Sequence, residues 1–145
     1  SVQFDVEQLA MNGDCLIIDV GGDDQGAGAL GRYAGALRSF GDELDMYYVI
    51  NQRRYLTADA DEAVKVMYEI EAASRMRHTA VVNNTNLGAE TDLAVIESSM
   101  RFAGEVCRKT GLPLAFTTCP QELAPSLESD REVFPVVRYV KALWE

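Results

Sequence analysis

Hydrophobic residues gather in four short runs, separated by longer segments with helical periodicity. The runs are Cys15-Leu16-Ile17-Ile18-Asp19-Val20, Met46-Tyr47-Tyr48-Val49-Ile50-Asn51, Thr79-Ala80-Val81-Val82-Asn83 and Leu112-Pro113-Leu114-Ala115-Phe116-Thr117. The first three are continuous rather than alternating, as strands are when a parallel sheet is covered on both faces. Between the runs, Leu30, Tyr33, Ala34 and Leu37 step by three and four and stop at Gly41. Asp59 and Glu62 have the spacing of a capping box and open a segment with Ala63, Met67, Ile70 and Ser74 on one face. Leu93, Ile96, Met100, Ala103 and Cys107 form the stripe of the longest predicted helix, which Gly111 ends with Pro113 close behind. Val136, Tyr139, Val140 and Leu143 predict a final short helix. The alternation predicts an α/β fold: a single domain over residues 1–145 with an open, mostly parallel sheet, helices on both faces and right-handed crossovers.

Composition narrows the class. A chain of 145 residues that is 48% hydrophobic and 25% charged fits one globular domain and excludes a disordered tail or a disulfide-stapled mini-protein. Thirteen Lys and Arg against twenty-three Asp and Glu leave a net charge of −10, which repels a phosphate backbone and argues against nucleic-acid binding by this chain alone. Three scattered cysteines with no CxxC, and a single His, make no zinc set. Cys15 and Cys119 lie in apolar runs and read as buried, reduced thiols of a cytoplasmic protein. No apolar stretch approaches the ~18–20 residues of a membrane span, and the first residues are no signal peptide. The chain begins without Met, as a processed or excised piece does.

In a parallel sheet the strand C-termini share one edge, where ligands of open α/β sheets bind. Here the predicted strands run into Asp19-Val20-Gly21-Gly22-Asp23-Asp24, Asn51-Gln52-Arg53-Arg54, Asn83-Asn84-Thr85-Asn86 and Thr117-Thr118-Cys119-Pro120. Four such endings predict a polar cleft that brings Asp19, Arg53, Asn83 and Thr117 together, although Asn, Thr and Gly also favour ordinary turns. Asp19 at the tip of a buried strand suits hydrated Mg²⁺, and the glycines after it let backbone N–H groups approach phosphate. Arg53 and Arg54 either clamp an anionic group or stay solvated.

Three other patterns carry less. Gly26, Gly28 and Gly31 match GxGxxG, yet five residues separate them from the first run and the next run closes with Asn51, not an acid. They read as small residues for close helix–sheet packing. The segment from Gly104 to Lys109 has Arg108 where a Walker A loop needs Gly, so it is no P-loop. His78, after Arg75 and Arg77, reads as solvated.

Asp19-Val20-Gly21-Gly22, Val81-Val82-Asn83-Asn84 and Thr117-Thr118-Cys119-Pro120 together resemble the C-terminal two-thirds of a ParA/MinD-type P-loop ATPase, of the deviant-Walker group that includes the nitrogenase iron protein. The resemblance spans nearly the whole chain by order of elements, through short motifs. It implies a P-loop NTPase-like fold, truncated at the N-terminus, that binds ATP with Mg²⁺. By resemblance Asp19 orients Mg²⁺ and the attacking water, Gly21 and Gly22 sense the γ-phosphate, Asn83 (or Asn84, one register on) bonds adenine, and Pro120 lies near the base. The family's KGGxGKT loop is missing from these residues, so ATP hydrolysis by this chain alone is expected to be very slow or absent. The implied partners are a second copy of the chain or the missing N-terminal part. Two alternatives are a non-catalytic dimerisation domain that keeps the fold and a Rossmann-like dinucleotide enzyme.

Overall fold

Four parallel strands are laid down in chain order, so no strand is inserted between earlier ones. They are β1 (Tyr47–Ile50), β2 (Ala80–Asn83), β3 (Leu114–Pro120) and β4 (Val133–Val136). Helix α3 (Ala60–Ser74) joins β1 to β2, and α4 (Leu93–Thr110) joins β2 to β3. Two earlier helices, α1 (Asp24–Gly31) and α2 (Ala34–Arg38), precede the sheet. The computed structural model describes residues 15–55, 58–127 and 132–139, together with residues 5, 8 and 11–13. This is the α/β architecture with a parallel sheet that the hydrophobic pattern predicts.

The helix boundaries follow from their caps. Asp59 Oδ1 accepts from the amides of Asp61 and Glu62 at the start of α3. Asp92 Oδ1 accepts from Val95 N at 2.8 Å to start α4, and Gly111 ends that helix at φ 74°, a left-handed position that suits glycine. Lys109, in the last turn of α4, meets Asp61 of α3 at 2.7 Å.

Packing divides the chain into two compact units, one of residues 1–46 and 67–77, the other of residues 47–66 and 78–145. In the first, Ala34, Leu37 and Met76 form a buried cluster, with Ile18, Leu30, Tyr33, Phe40, Leu44 and Met46 packed on it. The helix predicted through Leu30 and Leu37 is broken at Arg32 and Tyr33 into α1 and α2, next to Gly31, a poor residue for a helix interior. A Cβ at Gly31 would lie 2.8 Å from the Ala73 carbonyl oxygen, and one at Gly26 would lie 2.6 Å from that of Gly21. Gly26 and Gly31 of the GxGxxG pattern therefore serve close packing, but against the preceding chain and α3 rather than against the sheet, whereas a Cβ at Gly28 would meet nothing within 4 Å.

Residues 15–20 correct the sequence reading, because they form no strand. Ile17 is 87% exposed, Cys15 is exposed rather than buried, and only Ile18 packs on the Ala34 cluster. A strand exists through its ladder to a neighbour, and no described residue pairs with this run; apolar composition does not supply that partner.

The second unit holds the sheet. Register places Tyr48 beside Val81 and Ile50 beside Asn83, hence on one face. Tyr48 Oη donates to Ala63 O of α3 at 2.8 Å, and Asn83 Nδ2 donates to Ser99 Oγ of α4 at 2.8 Å, so both helices cover that face. His78 is buried there, not solvated, with its ring 5.1 Å from that of Tyr48. The opposite face carries Tyr47, Val49, Phe116 and Phe134. Phe116 stands 6.3 Å from Tyr47 and 5.5 Å from Phe134 between ring centroids. Tyr47, Val49 and Phe134 on this face are each about half exposed (47, 56 and 54%).

β3 runs three residues past its predicted end at Thr117, because β4 pairs with its residues 117–120. β4 itself is absent from the sequence reading, and Val136, predicted to open a helix, closes this strand instead. Val140 and Leu143 of that predicted helix lie outside the described residues. Among the described residues no helix is long and apolar enough to cross a membrane.

Candidate binding rim at the strand ends

The C-terminal ends of the four strands lie along one edge because all three pairings are parallel. Arg53, Asn83, Asn84, Thr117 and Pro120 are thereby gathered at or near that edge. Asp19, Gly21 and Gly22 belong to the other compact unit and stand on no strand. Asp19 is exposed, which differs from the expected carboxylate at the tip of a buried strand. Beyond Gly22, Asp23 caps α1 by accepting from Gly26 N at 2.7 Å, so this helix N-terminus is held by the chain's own carboxylate. Neither the Asp19-Val20-Gly21-Gly22 segment nor the GxGxxG pattern has the preceding strand that its chemistry uses.

Alternation along β2 separates the two asparagines. Asn83 turns to the helix-covered face and has no exposed surface. Its Nδ2 donates to Ser99 Oγ at 2.8 Å and to Thr117 Oγ1 at 3.5 Å, while its Oδ1 accepts from Thr85 Oγ1 at 2.8 Å and Thr85 N at 3.3 Å. That amide is spent inside the molecule. Asn84 turns the other way, where its Oδ1 accepts from Thr118 Oγ1 at 2.6 Å. Its backbone N donates to Ile50 O at 2.8 Å, which fixes the residue against β1 as well. Among the described residues the Asn84 Nδ2 has no hydrogen-bond partner.

The neighbouring strand ends are braced in the same way. Gln52 N donates to Thr85 Oγ1 at 3.0 Å, and Arg53 N to Asn51 Oδ1 at 3.0 Å. Gln52 Oε1 is a buried oxygen without a partner among the described residues. Such an atom is costly unless a ligand or water meets it. The Arg53 and Arg54 side chains are exposed. Cys119, in β3, is fully buried, and burial first, then the Glu122 charge, pushes its thiol pKa up. It is held in the neutral, unreactive form. Pro120, the last residue of β3, pairs with Val136 and carries the turn in which Leu123 N donates to its carbonyl at 2.9 Å.

Two rim residues are missing from the sequence reading. Gly88 lies in the loop from β2 to α4 at φ 62°, and a Cβ there would be 2.9 Å from Arg138 Nη1. Gly88 follows the Asn-rich run and was detectable as a glycine in a polar loop. Arg138 was not, because it follows the unpredicted β4.

Among the described residues no three His, Cys, Asp or Glu side chains gather to hold a metal. Compared with known proteins, the chain matches no family model, no curated protein and no solved structure.

Proposed function

We propose that the strand-end rim binds the base of an adenine nucleotide and that Asn84 reads it. The observation that carries this reading is the 2.6 Å bond from Thr118, which orients the Asn84 amide and leaves its Nδ2 to donate outward. An amide oxygen has two lone pairs, so Asn84 Oδ1 keeps acceptor capacity toward an exocyclic amine. Asn pairs with adenine through this donor–acceptor combination. The resemblance to ParA/MinD-type ATPases points the same way, with its adenine-bonding role falling on Asn84 rather than on the inward-facing Asn83.

Asp19 is a single exposed carboxylate of the other compact unit, and among the described residues no three His, Cys, Asp or Glu side chains gather to hold a metal, so Mg²⁺ would come to the rim with the ligand's own phosphates and water. When bound, Mg²⁺ would neutralise phosphate charge; the reading of the base does not depend on it. Arg53 is the rim cation for an anionic group, and this chain alone binds nucleotide without appreciable turnover. Calorimetric titration with adenosine and ATP tests the reading. Asn84→Ala should weaken both by about tenfold, or ~1.4 kcal/mol, and equal affinity would reject it.

A second reading, an interaction module that works by dimerisation, is favoured by the apolar face of Tyr47, Val49 and Phe134. Sedimentation separates the two. A dimer that Phe134→Ser dissociates, with no adenosine binding, supports the module.

A further inference from the structure

The geometry points to Thr118 as the positioning residue that makes the rim choose a 6-amino purine over a 6-oxo purine; this rests on the adenine reading above and deepens it.

The backbone of Asn84 is anchored on two sides. Its N donates to Ile50 O at 2.8 Å, and its carbonyl accepts from Asn86 Nδ2 at 2.9 Å. Neither bond decides which end of the side-chain amide faces outward. Thr118 does. It lies in β3, which is paired on both sides, and stands opposite Phe134 of β4. Its hydroxyl carries one proton and has two acceptors in reach, Asn84 Oδ1 at 2.6 Å and Asn83 O at 3.5 Å. Only the first lies within the range of about 2.5–3.0 Å for an O–H···O bond, so the proton goes to Oδ1. Turning the amide over would put Nδ2 on the hydroxyl and leave the proton to the distant carbonyl, a poorer arrangement. The amide is therefore held with Nδ2 outward.

At the ring edge that carries N1 and the 6-substituent, adenine offers an acceptor and a donor, whereas hypoxanthine offers a donor and an acceptor. The same pose fits hypoxanthine only when the amide turns over, and Thr118 opposes that turn. A site arranged for one hydrogen-bond pattern is left with unpaired polar groups by the other. A threonine that merely braced β2 against β3 would lower stability, or weaken both nucleosides alike, and leave their ratio alone.

The test titrates adenosine and inosine into the full chain and reads the ratio of their affinities. The wild type should prefer adenosine by roughly tenfold, on the scale of one amide pairing gained or lost. Thr118→Val keeps the branched shape that suits a strand and removes the hydroxyl, and the ratio should fall most of the way to one. Thr118→Ser keeps the hydroxyl and should restore the preference. A wild-type preference that survives in Thr118→Val, with adenosine weakened by Asn84→Ala, overturns the inference and spares the adenine reading. So does a wild type that binds the two nucleosides equally while Asn84→Ala weakens adenosine. A ratio lost in Thr118→Ser as in Thr118→Val overturns the inference too, because the methyl and not the hydroxyl would then set it. A wild-type chain that binds no adenosine overturns both.

Discussion

Asn83 and Asn84, adjacent in sequence, send their amides to opposite faces of the sheet. The first bonds Ser99 at 2.8 Å inside the molecule, and the second accepts from Thr118 at 2.6 Å at the rim. The two residues have different jobs, so their substitutions should fail in different ways.

Asn83→Ala should destabilise the fold. Removing the amide leaves Ser99, Thr117 and Thr85, all almost fully buried, short of partners. Stranded buried polar groups cost about 1–3 kcal/mol. Urea denaturation should show a lower midpoint with an unchanged slope, whereas Asn84→Ala, which gives up a single part-buried bond from Thr118, should lose less.

Tyr48 predicts an alkaline limit. Burial pushes its hydroxyl from 10.0 up to about 12. Above pH 10 the unfolded chain loses this proton while the folded chain keeps it, so stability falls as pH rises from about 10 to 12. The loss reaches on the order of 2 kcal/mol. Tyr48→Phe gives up the bond to Ala63, costing about 1 kcal/mol at neutral pH, and should remove this part of the alkaline decline. Denaturation followed between pH 9 and 12 (roughly the window set by linkage) checks both.

The thiols should differ in reactivity. Cys15 is exposed, whereas Cys119 is buried and its thiol is held neutral. Alkylation of the native chain followed by mass spectrometry should modify Cys15 first and leave Cys119 until unfolding. Early labelling of Cys119 would contradict the packing of β3.

Local signals were the legible part of this sequence. The caps Asp59 and Gly111 and the apolar stripes of their helices sit within single elements, where a few residues decide the outcome, although the Asp92 cap went unread. Pairing was less legible. Residues 15–20 are as apolar as β2, yet only β2 finds neighbours on both sides. β4, with Pro135 and exposed Phe134, carries no strand signal of its own and is set by β3. The rim was visible as four polar run-ends, and three of them share an edge. Which asparagine faces outward depends on strand parity, and parity is set by the helices that cover one face.

The most direct measurement follows the side-chain amide signals of isotopically labelled protein as adenosine is added. The account predicts that the Asn84 Nδ2 resonances shift and saturate while those of Asn83 stay in place. Movement of the Asn83 signals alone, or of neither pair at saturating adenosine, would contradict it.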